Sequence, residues 1–571
     1  MSRIGAMLPG VLLIALCAAT APADDESVVN SPHDLSAMGP GPVHALEETR
    51  VCVFCHTPHN ASPEAPLWNR FNPTTHYRIY ESRTTDARID QPGPASKRCL
   101  SCHDGSIALG LTLSRPATDP IRMTHPFMPS GPANLTNDLS DDHPIGLRYD
   151  RPLSNRDRQI RQPELIDSRI ELGPRNELEC TACHDPHNNE LGNFLRITQR
   201  EGALCVTCHD MRGWRLSAHA GSPRAVPTTV THGVQLPYVS MADNACRSCH
   251  TPHSAPRREQ LLYDRPSRLC LDCHDGIGAR DVHPVVNQRY GHRINPVFER
   301  AWPGGARPRS VRTVECTDCH NPHAVAPDVL GRGLKAGPLG SLVPPAMREV
   351  SGVSIAGLPV ARAQLYYEVC FRCHADRPVI VPDRIIRQED TAGNIRRQFL
   401  PTVASAHPVA FAARDTGEVP SLLPQYRTRQ TISCQACHDN PDSVGQGGVE
   451  IRGPHGSRYQ YLLAARYDTQ DFTIESPQSY ALCYRCHDRN SILSDESFPY
   501  HRTHIVRGQA PCSACHAAHG VPGSASQHDH LINFDISIVG GRRFYLDTGR
   551  FSGSCTLTCH GVDHVNLAYS R

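Results

Sequence analysis

Apolar residues are concentrated once, in the run from Leu8 to Ala19, and are scattered thereafter. No later stretch approaches the roughly 20 consecutive apolar residues that a membrane-spanning helix needs. Pro and Gly, 49 and 41 residues, punctuate the remainder, so irregular segments with short helical turns are expected. The exception runs from Leu531 to Leu546, where alternating residues predict a hairpin turning on Gly540-Gly541. Apolar pairs such as Leu67-Trp68, Phe194-Leu195 and Leu261-Leu262 recur at a fixed place in a longer pattern. That pattern is an upstream His, a Cys-x-x-Cys-His, a His three residues later, the apolar pair, and a second Cys-x-x-Cys-His. Six such units imply an array whose members bury their faces on one another.

The first motifs are Cys52-Val-Phe-Cys55-His56, Cys180-Thr-Ala-Cys183-His184, Cys246-Arg-Ser-Cys249-His250, Cys316-Thr-Asp-Cys319-His320, Cys434-Gln-Ala-Cys437-His438 and Cys512-Ser-Ala-Cys515-His516. The second motifs are Cys99-Leu-Ser-Cys102-His103, Cys205-Val-Thr-Cys208-His209, Cys270-Leu-Asp-Cys273-His274, Cys370-Phe-Arg-Cys373-His374 and Cys483-Tyr-Arg-Cys486-His487, with the stretched Cys555-Thr-Leu-Thr-Cys559-His560 last. A lone Cys-x-x-Cys reads equally as a zinc knuckle or a redox dithiol. Here a His follows the second Cys every time, which neither of those chemistries requires. Two thiols for the vinyl groups of a haem, with the next imidazole under the iron, require it. The expected cofactor is haem c, twelve per chain, held covalently.

The segment 1–23, with Arg3 ahead of the apolar run and Ala21-Pro22-Ala23 at its end, reads as an export signal. Export places the protein in the periplasm or outside the cell. Of 25 cysteines, one, Cys17, lies in that segment, and the other 24 are consumed by twelve motifs. Filled sites leave none for disulfides. Subtracting 23 residues from 571 leaves 548, about 46 per motif, too few to build a separate core around each cofactor. The haems themselves form the core, and haem insertion and folding are one event.

The expected fold is therefore that of a multihaem cytochrome c: mostly irregular loops and short helices wrapped on a haem array, with little sheet. The di-haem units are bounded at 24–129, 130–215, 216–282, 283–382, 383–493 and 494–571. In the fourth, the Gly- and Pro-rich interior from Ala324 to Ala363 reads as a surface excursion. In the fifth, a Gly-rich insertion separates His438 from Pro454-His455-Gly456.

Each iron needs a second axial ligand, and with 33 histidines and 8 methionines a mostly bis-His array of low potential follows. The histidines three residues after a first motif, His59, His187, His253, His323 and His519, start on the proximal side of their own haem and should reach the second haem of their unit. His455 takes that role in the fifth unit, for the haem at Cys483 and Cys486. First-motif haems then draw on an upstream set, His33, His143, His219, His292, His407 and His504. Four of these have close alternatives in His44, His232, His283 and His501.

Arg and Lys total 58 against 57 Asp and Glu. Two propionates per haem, against one net charge on each ferric core, make the oxidised holoprotein acidic by roughly twelve charges, so nucleic acid is not an expected partner. Only Lys97 and Lys335 are lysines. That reads first as a coding bias, with Arg–propionate pairing as the functional alternative.

The doubled motif, with Cys-x-x-Cys-His-x-Pro-His, an apolar pair and Cys-Leu-x-Cys-His-Asp, resembles the doubled-CXXCH multihaem c-type cytochromes over essentially the whole mature chain. The resemblance implies low-spin bis-His haems packed as an electron conduit. A catalytic residue is not expected. The rival classes are a multihaem reductase or oxidase, which needs one open iron, and an extracellular filament built by self-assembly. Partners would be other redox proteins, among them an outer-membrane porin or a quinol-oxidising complex.

Overall fold

The computed structural model describes residues 27–571 except 64, 66, 227–228, 231–233, 293, 295–313, 327–340, 377–383, 413–418 and 428–429. The segment read as an export signal, and His232, lie outside them. No helix among the described residues is long and apolar enough to cross a membrane.

The chain forms two compact units. One comprises the chain up to Gln199 with Ala203–Cys208 and Pro252–Leu261, and the other comprises Arg200–Gly202, His209–Thr251 and Leu262–Arg571. The boundary does not follow the sequence repeats. The loop Pro252–Leu261 of the third repeat belongs with the first unit because it carries His253, whose ring meets His184 there.

Loops dominate, with 26% helix and only small sheets, as the pattern of short segments predicts. The longest helices end in second motifs: α1 (Pro94–His103), α2 (Pro266–Cys273) and α3 (Tyr366–His374). Apolar side chains gather in small separate clusters rather than one core, and most clusters reach a motif cysteine. In the first unit Ala45, Phe54, Leu109, Ile121 and Met123 pack on Cys55 and Cys102. In the second, Met347, Val350, Ala363, Tyr366 and Val369 pack on Cys319, Cys370 and Cys434. That second cluster corrects the reading of Ala324 to Ala363 as a surface excursion. Its described end, from Ser341 onward, is drawn inward by Met347 and Val350 and carries the antiparallel pairing of Gly352–Val353 with Pro359–Val360.

Successive repeats are joined at helix N-termini. The first amides of a helix have no partner within it, and a carboxylate placed there satisfies them and complements the helix dipole. Glu179, directly before the third motif, accepts from the amides of Gly93 and Ser96 at 3.1 and 3.3 Å and from the Ser96 hydroxyl, which begins α1 of the preceding repeat. A Cβ on Gly93 would lie 2.1 Å from the Glu179 carboxylate, so only glycine admits this approach. Glu315, directly before the seventh motif, repeats the device on α2, accepting from the Ser267 amide at 3.0 Å and from its hydroxyl.

The C-terminus is a three-stranded antiparallel sheet, β1 (Val539–Gly549), β2 (Ser552–Cys559) and β3 (Val562–Tyr569). The sheet expected there is present, but Gly540-Gly541 is not its turn. Both glycines lie inside β1, at a register shift between Gly540 and Phe544. The turns are Arg550-Phe551 and His560-Gly561. At the latter, φ values of 51° and 74° make a two-residue loop of the kind whose twist suits a hairpin.

If Glu315 and Ser267 form one cap, Glu315→Gln and Ser267→Ala will each destabilise the second unit by about 1–2 kcal/mol. The double variant should lose less than the sum by at least about 0.5 kcal/mol in denaturant titrations of the holoprotein. Strictly additive losses would contradict the shared cap.

Candidate functional site

Eleven motifs are helical turns. The first motifs stand on isolated turns such as Cys52–Phe54, Cys180–Cys183 and Cys512–Cys515, while second motifs close longer helices. A turn brings residues i and i+3 to one side, so both thiols face the same way. The following amide seals it: the N–H of His56 donates to the Cys52 carbonyl at 2.8 Å, and those of His250, His274, His320 and His438 donate equivalently at 2.9 Å. Arginines cap carbonyls of several turns. Arg70 donates to Ser101 at 3.0 Å, Arg196 to Thr181 at 2.7 Å and Arg485 to Ala436 at 3.1 Å.

The apolar pair has a definite task. Its second member bridges to the motif histidine, Trp68 to His56, Leu195 to His184, Leu262 to His250, Leu463 to His438 and Ile532 to His516. Its first member is left-handed, with φ of 61° at Leu67, 57° at Phe194, 53° at Leu261, 60° at Leu462 and 64° at Leu531. Asn193, Gln260, Tyr461 and His530, one position earlier, are left-handed too. Each such non-glycine residue costs about 1–2 kcal/mol, and the cost recurs at the same place in every case. The turn aims a carbonyl at the motif imidazole. His184 Nδ1 donates to Asn193 O at 2.9 Å, His438 Nδ1 to Tyr461 O at 2.9 Å and His516 Nδ1 to His530 O at 2.8 Å. At His320 the Ala346 carbonyl, 2.8 Å away, serves instead. Donation from Nδ1 fixes the tautomer and leaves Nε2 bare, the form that ligates a metal.

Each ring then faces another. Two imidazoles on opposite sides of one metal ion, with bonds of about 2 Å, have centres on the order of 6 Å apart. First-motif rings meet their partners at 6.1 Å for His56 and His187, 6.2 Å for His184 and His253, 6.2 Å for His250 and His323, 6.0 Å for His320 and His455, and 6.0 Å for His438 and His519. Second-motif rings meet the upstream set: His103 and His33 at 6.1 Å, His274 and His219 at 6.5 Å, His374 and His292 at 6.2 Å. His407 lies close enough to His487 to lower its pKa.

This geometry reverses the sequence expectation. The histidine three residues after a first motif faces the first motif of the preceding repeat, not the second motif of its own. The upstream histidine faces the second motif, not the first. His455 accordingly stands against His320, not His487. The residue before each such histidine also holds the upstream imidazole of the preceding repeat: His219 Nδ1 donates to Pro322 O at 2.9 Å, His292 to Pro454 O at 2.8 Å and His407 to Ala518 O at 2.8 Å. The amide of His143 donates to Pro252 O at 2.7 Å at the equivalent junction. At the chain ends the rule runs out. His59 has no preceding repeat to serve and is exposed. His516 has no following repeat, and His501, 6.4 Å away, faces it in place of the expected His504.

The donor set fits haem c. Among the described residues the 24 motif cysteines form no disulfide. Burial, then the neighbouring Cys102, pushes the Cys55 thiol up to about 12. Burial holds several of the imidazoles toward the neutral form that a ligand needs. Burial, then His320, lowers His455 to about 3, and burial, then His103, lowers His33 to about 4.

Neighbouring sites adjoin in sequence order. Second cysteines approach within a repeat, Cys183 to Cys208, Cys249 to Cys273, Cys319 to Cys373 and Cys437 to Cys486. First cysteines meet between repeats, Cys99 with Cys180, Cys270 with Cys316, Cys370 with Cys434 and Cys483 with Cys512.

The twelfth motif departs from this plan. Cys555 and Cys559 lie on β2, and His560 occupies the β2–β3 turn with its Nε2 2.9 and 3.0 Å from the two carboxylate oxygens of Asp471. Instead His504 and His564 face each other at 6.0 Å. The sequence expectation did not include His564 among the facing histidines. The signal was present in the alternation Cys-Thr-Leu-Thr-Cys, which is a strand pattern, followed by the turn pair His-Gly.

A family profile described as the doubled CXXCH motif matches residues 173–212 and 239–279. The chain is also similar to the multiheme cytochrome MtrA of Shewanella baltica (strain OS185), at 27% identity over 169 residues, 27% of this chain and 38% of that protein. The alignment thus spans well under half of the relative's length. With the paired thiols and facing imidazoles, these matches make the chain similar to the doubled-CXXCH multihaem cytochromes over the matched segments.

Proposed function

We propose that the chain is an exported dodecahaem conduit that passes electrons between redox proteins rather than transforming a substrate. The observation that carries this reading is the order of the attachment cysteines: within each compact unit, every motif adjoins its sequence neighbour. Haem c, when bound, supplies the reversible exchange of one electron at iron, and the protein supplies position and potential. Attachment needs no oxidant: each thiol S–H adds across a vinyl C=C, sulfur to one carbon and hydrogen to the other.

The residues of the chain do the rest. Paired cysteines fix where each cofactor is tethered, and their adjacency sets the spacing of the array. The facing imidazoles would supply both protein ligands of an iron, which would leave a substrate no iron to bind and favours a carrier over a reductase or oxidase. The carbonyls that accept from Nδ1 raise imidazole basicity and hold the potentials low. The six di-haem repeats 24–129, 130–215, 216–282, 283–382, 383–493 and 494–571 are proposed as the assembly units, and the stretch ending at Ala23 as the export signal.

Intact mass of the mature holoprotein should exceed that of the polypeptide by twelve haems, and fewer than ten would overturn the reading. The reduced protein should bind no carbon monoxide, whereas His455→Ala should bind one per chain and show one high-spin haem. Carbon monoxide binding by the unaltered protein would favour the enzyme instead.

A further inference from the structure

We propose that the iron of the last haem, tethered by Cys555 and Cys559, is ligated by His564 and His504, and that His560, the histidine of the motif itself, is not a ligand. The inference rests on the reading that the motifs carry haem c, and extends it to a site whose ligand the motif does not contain.

In the other eleven motifs a helical turn places the imidazole beside both thiols. Here three residues separate the cysteines and the segment is a strand. Side chains alternate along a strand, so Cys555, Leu557 and Cys559 share one face. His564 pairs with Leu557 in register and Val562 with Cys559, which puts the His564 ring on that same face. Thr558 and Asp563, bonded to each other at 2.6 Å, mark the opposite one.

His560 begins the two-residue turn with φ of 51°, and the turn carries it away from the cysteine face. Its ring stacks on Phe472 at 4.5 Å and 15°, and its Nε2 is held by both oxygens of Asp471. Nε2 is the nitrogen that His184, His320, His438 and His516 leave bare by donating from Nδ1. His504 has the opposite arrangement: Nδ1 donates to Tyr500 O at 2.8 Å, which leaves Nε2 toward His564.

The 6.0 Å between His504 and His564 matches the spacing of the motif pairs, and among the described histidine pairs it alone contains no motif histidine. Cys515 has Cys555 and Cys559 as neighbours, so the site also continues the order of attachment. His501, by taking His516, releases His504 for this role.

The test uses the full-length holoprotein, with mass spectrometry of the C-terminal peptide for attachment and low-temperature electron paramagnetic resonance for spin state. The unaltered protein should show haem on the Cys555–Cys559 peptide and no high-spin signal. His564→Ala and His504→Ala should each convert one haem to high spin, and His560→Ala none. His564→Met should keep that haem low-spin with the charge-transfer band of methionine-ligated ferric haem and a raised potential, a signature that a merely structural histidine would not produce.

A high-spin haem in His560→Ala with His564→Ala silent would overturn the assignment, as would a methionine band from His560→Met but not His564→Met. A C-terminal peptide without haem, beside eleven occupied motifs, would overturn it and leave the conduit reading standing. If His560→Ala itself loses the haem, the methionine variants decide.

Discussion

Two imidazoles facing each other at about 6 Å are the constraint to which the rest of the molecule answers. Neither ring of a pair belongs to the same local segment. His56 and His187, or His320 and His455, are more than a hundred residues apart, and burial beside His320 favours the neutral form of the His455 ring. Small apolar clusters of five or six side chains are too slight to impose such registration alone. It is imposed by hydrogen bonds that arrive from the neighbouring repeat, through the carbonyls of Pro322, Pro454 and Ala518 and the carboxylates of Glu179 and Glu315.

The left-handed pairs show how local cost is accepted for this purpose. Asn193-Phe194, Tyr461-Leu462 and His530-Leu531 would all be relieved by glycine, yet large side chains occupy them. A glycine would lose more entropy on folding and would remove the apolar side chain that stands directly before the bridging residue. Conformational strain of a few kcal/mol is offset by the hydrogen bond to the motif ring and by packing, and the ring's orientation is thereby set.

What was legible in the sequence was what is local. A Cys-x-x-Cys-His declares its chemistry within five residues, and the short turns around it follow from Pro and Gly. Most of the imidazoles that face motif rings were legible too, because Pro-His and upstream His recur at fixed places. Their partners were not, since choosing between the haem of one repeat and that of the previous one depends on where the loop travels after it leaves the motif. The insertion before His455 was correctly seen as an insertion, but its destination was settled by the pairing of Tyr290-Gly291 with Gly456-Ser457, far apart in sequence. At the C-terminus the stretched motif was legible as a departure, but the strand it forms was not, because Cys-x-x-Cys-His elsewhere closes a helical turn.

Ligand sharing between neighbours also bears on how such a chain can change length over evolutionary time. A repeat duplicated in the interior brings one donor for the repeat before it and receives one from the repeat after it, so every metal remains fully dressed. A repeat deleted from the C-terminal end strips its predecessor of an imidazole, and the new last repeat must find a substitute, as His501 does here. At the other end the surplus donor is left stranded in solvent, as His59 is. Interior copies can therefore be gained or lost without leaving a donor unmatched, and descent in this architecture should be written in their number.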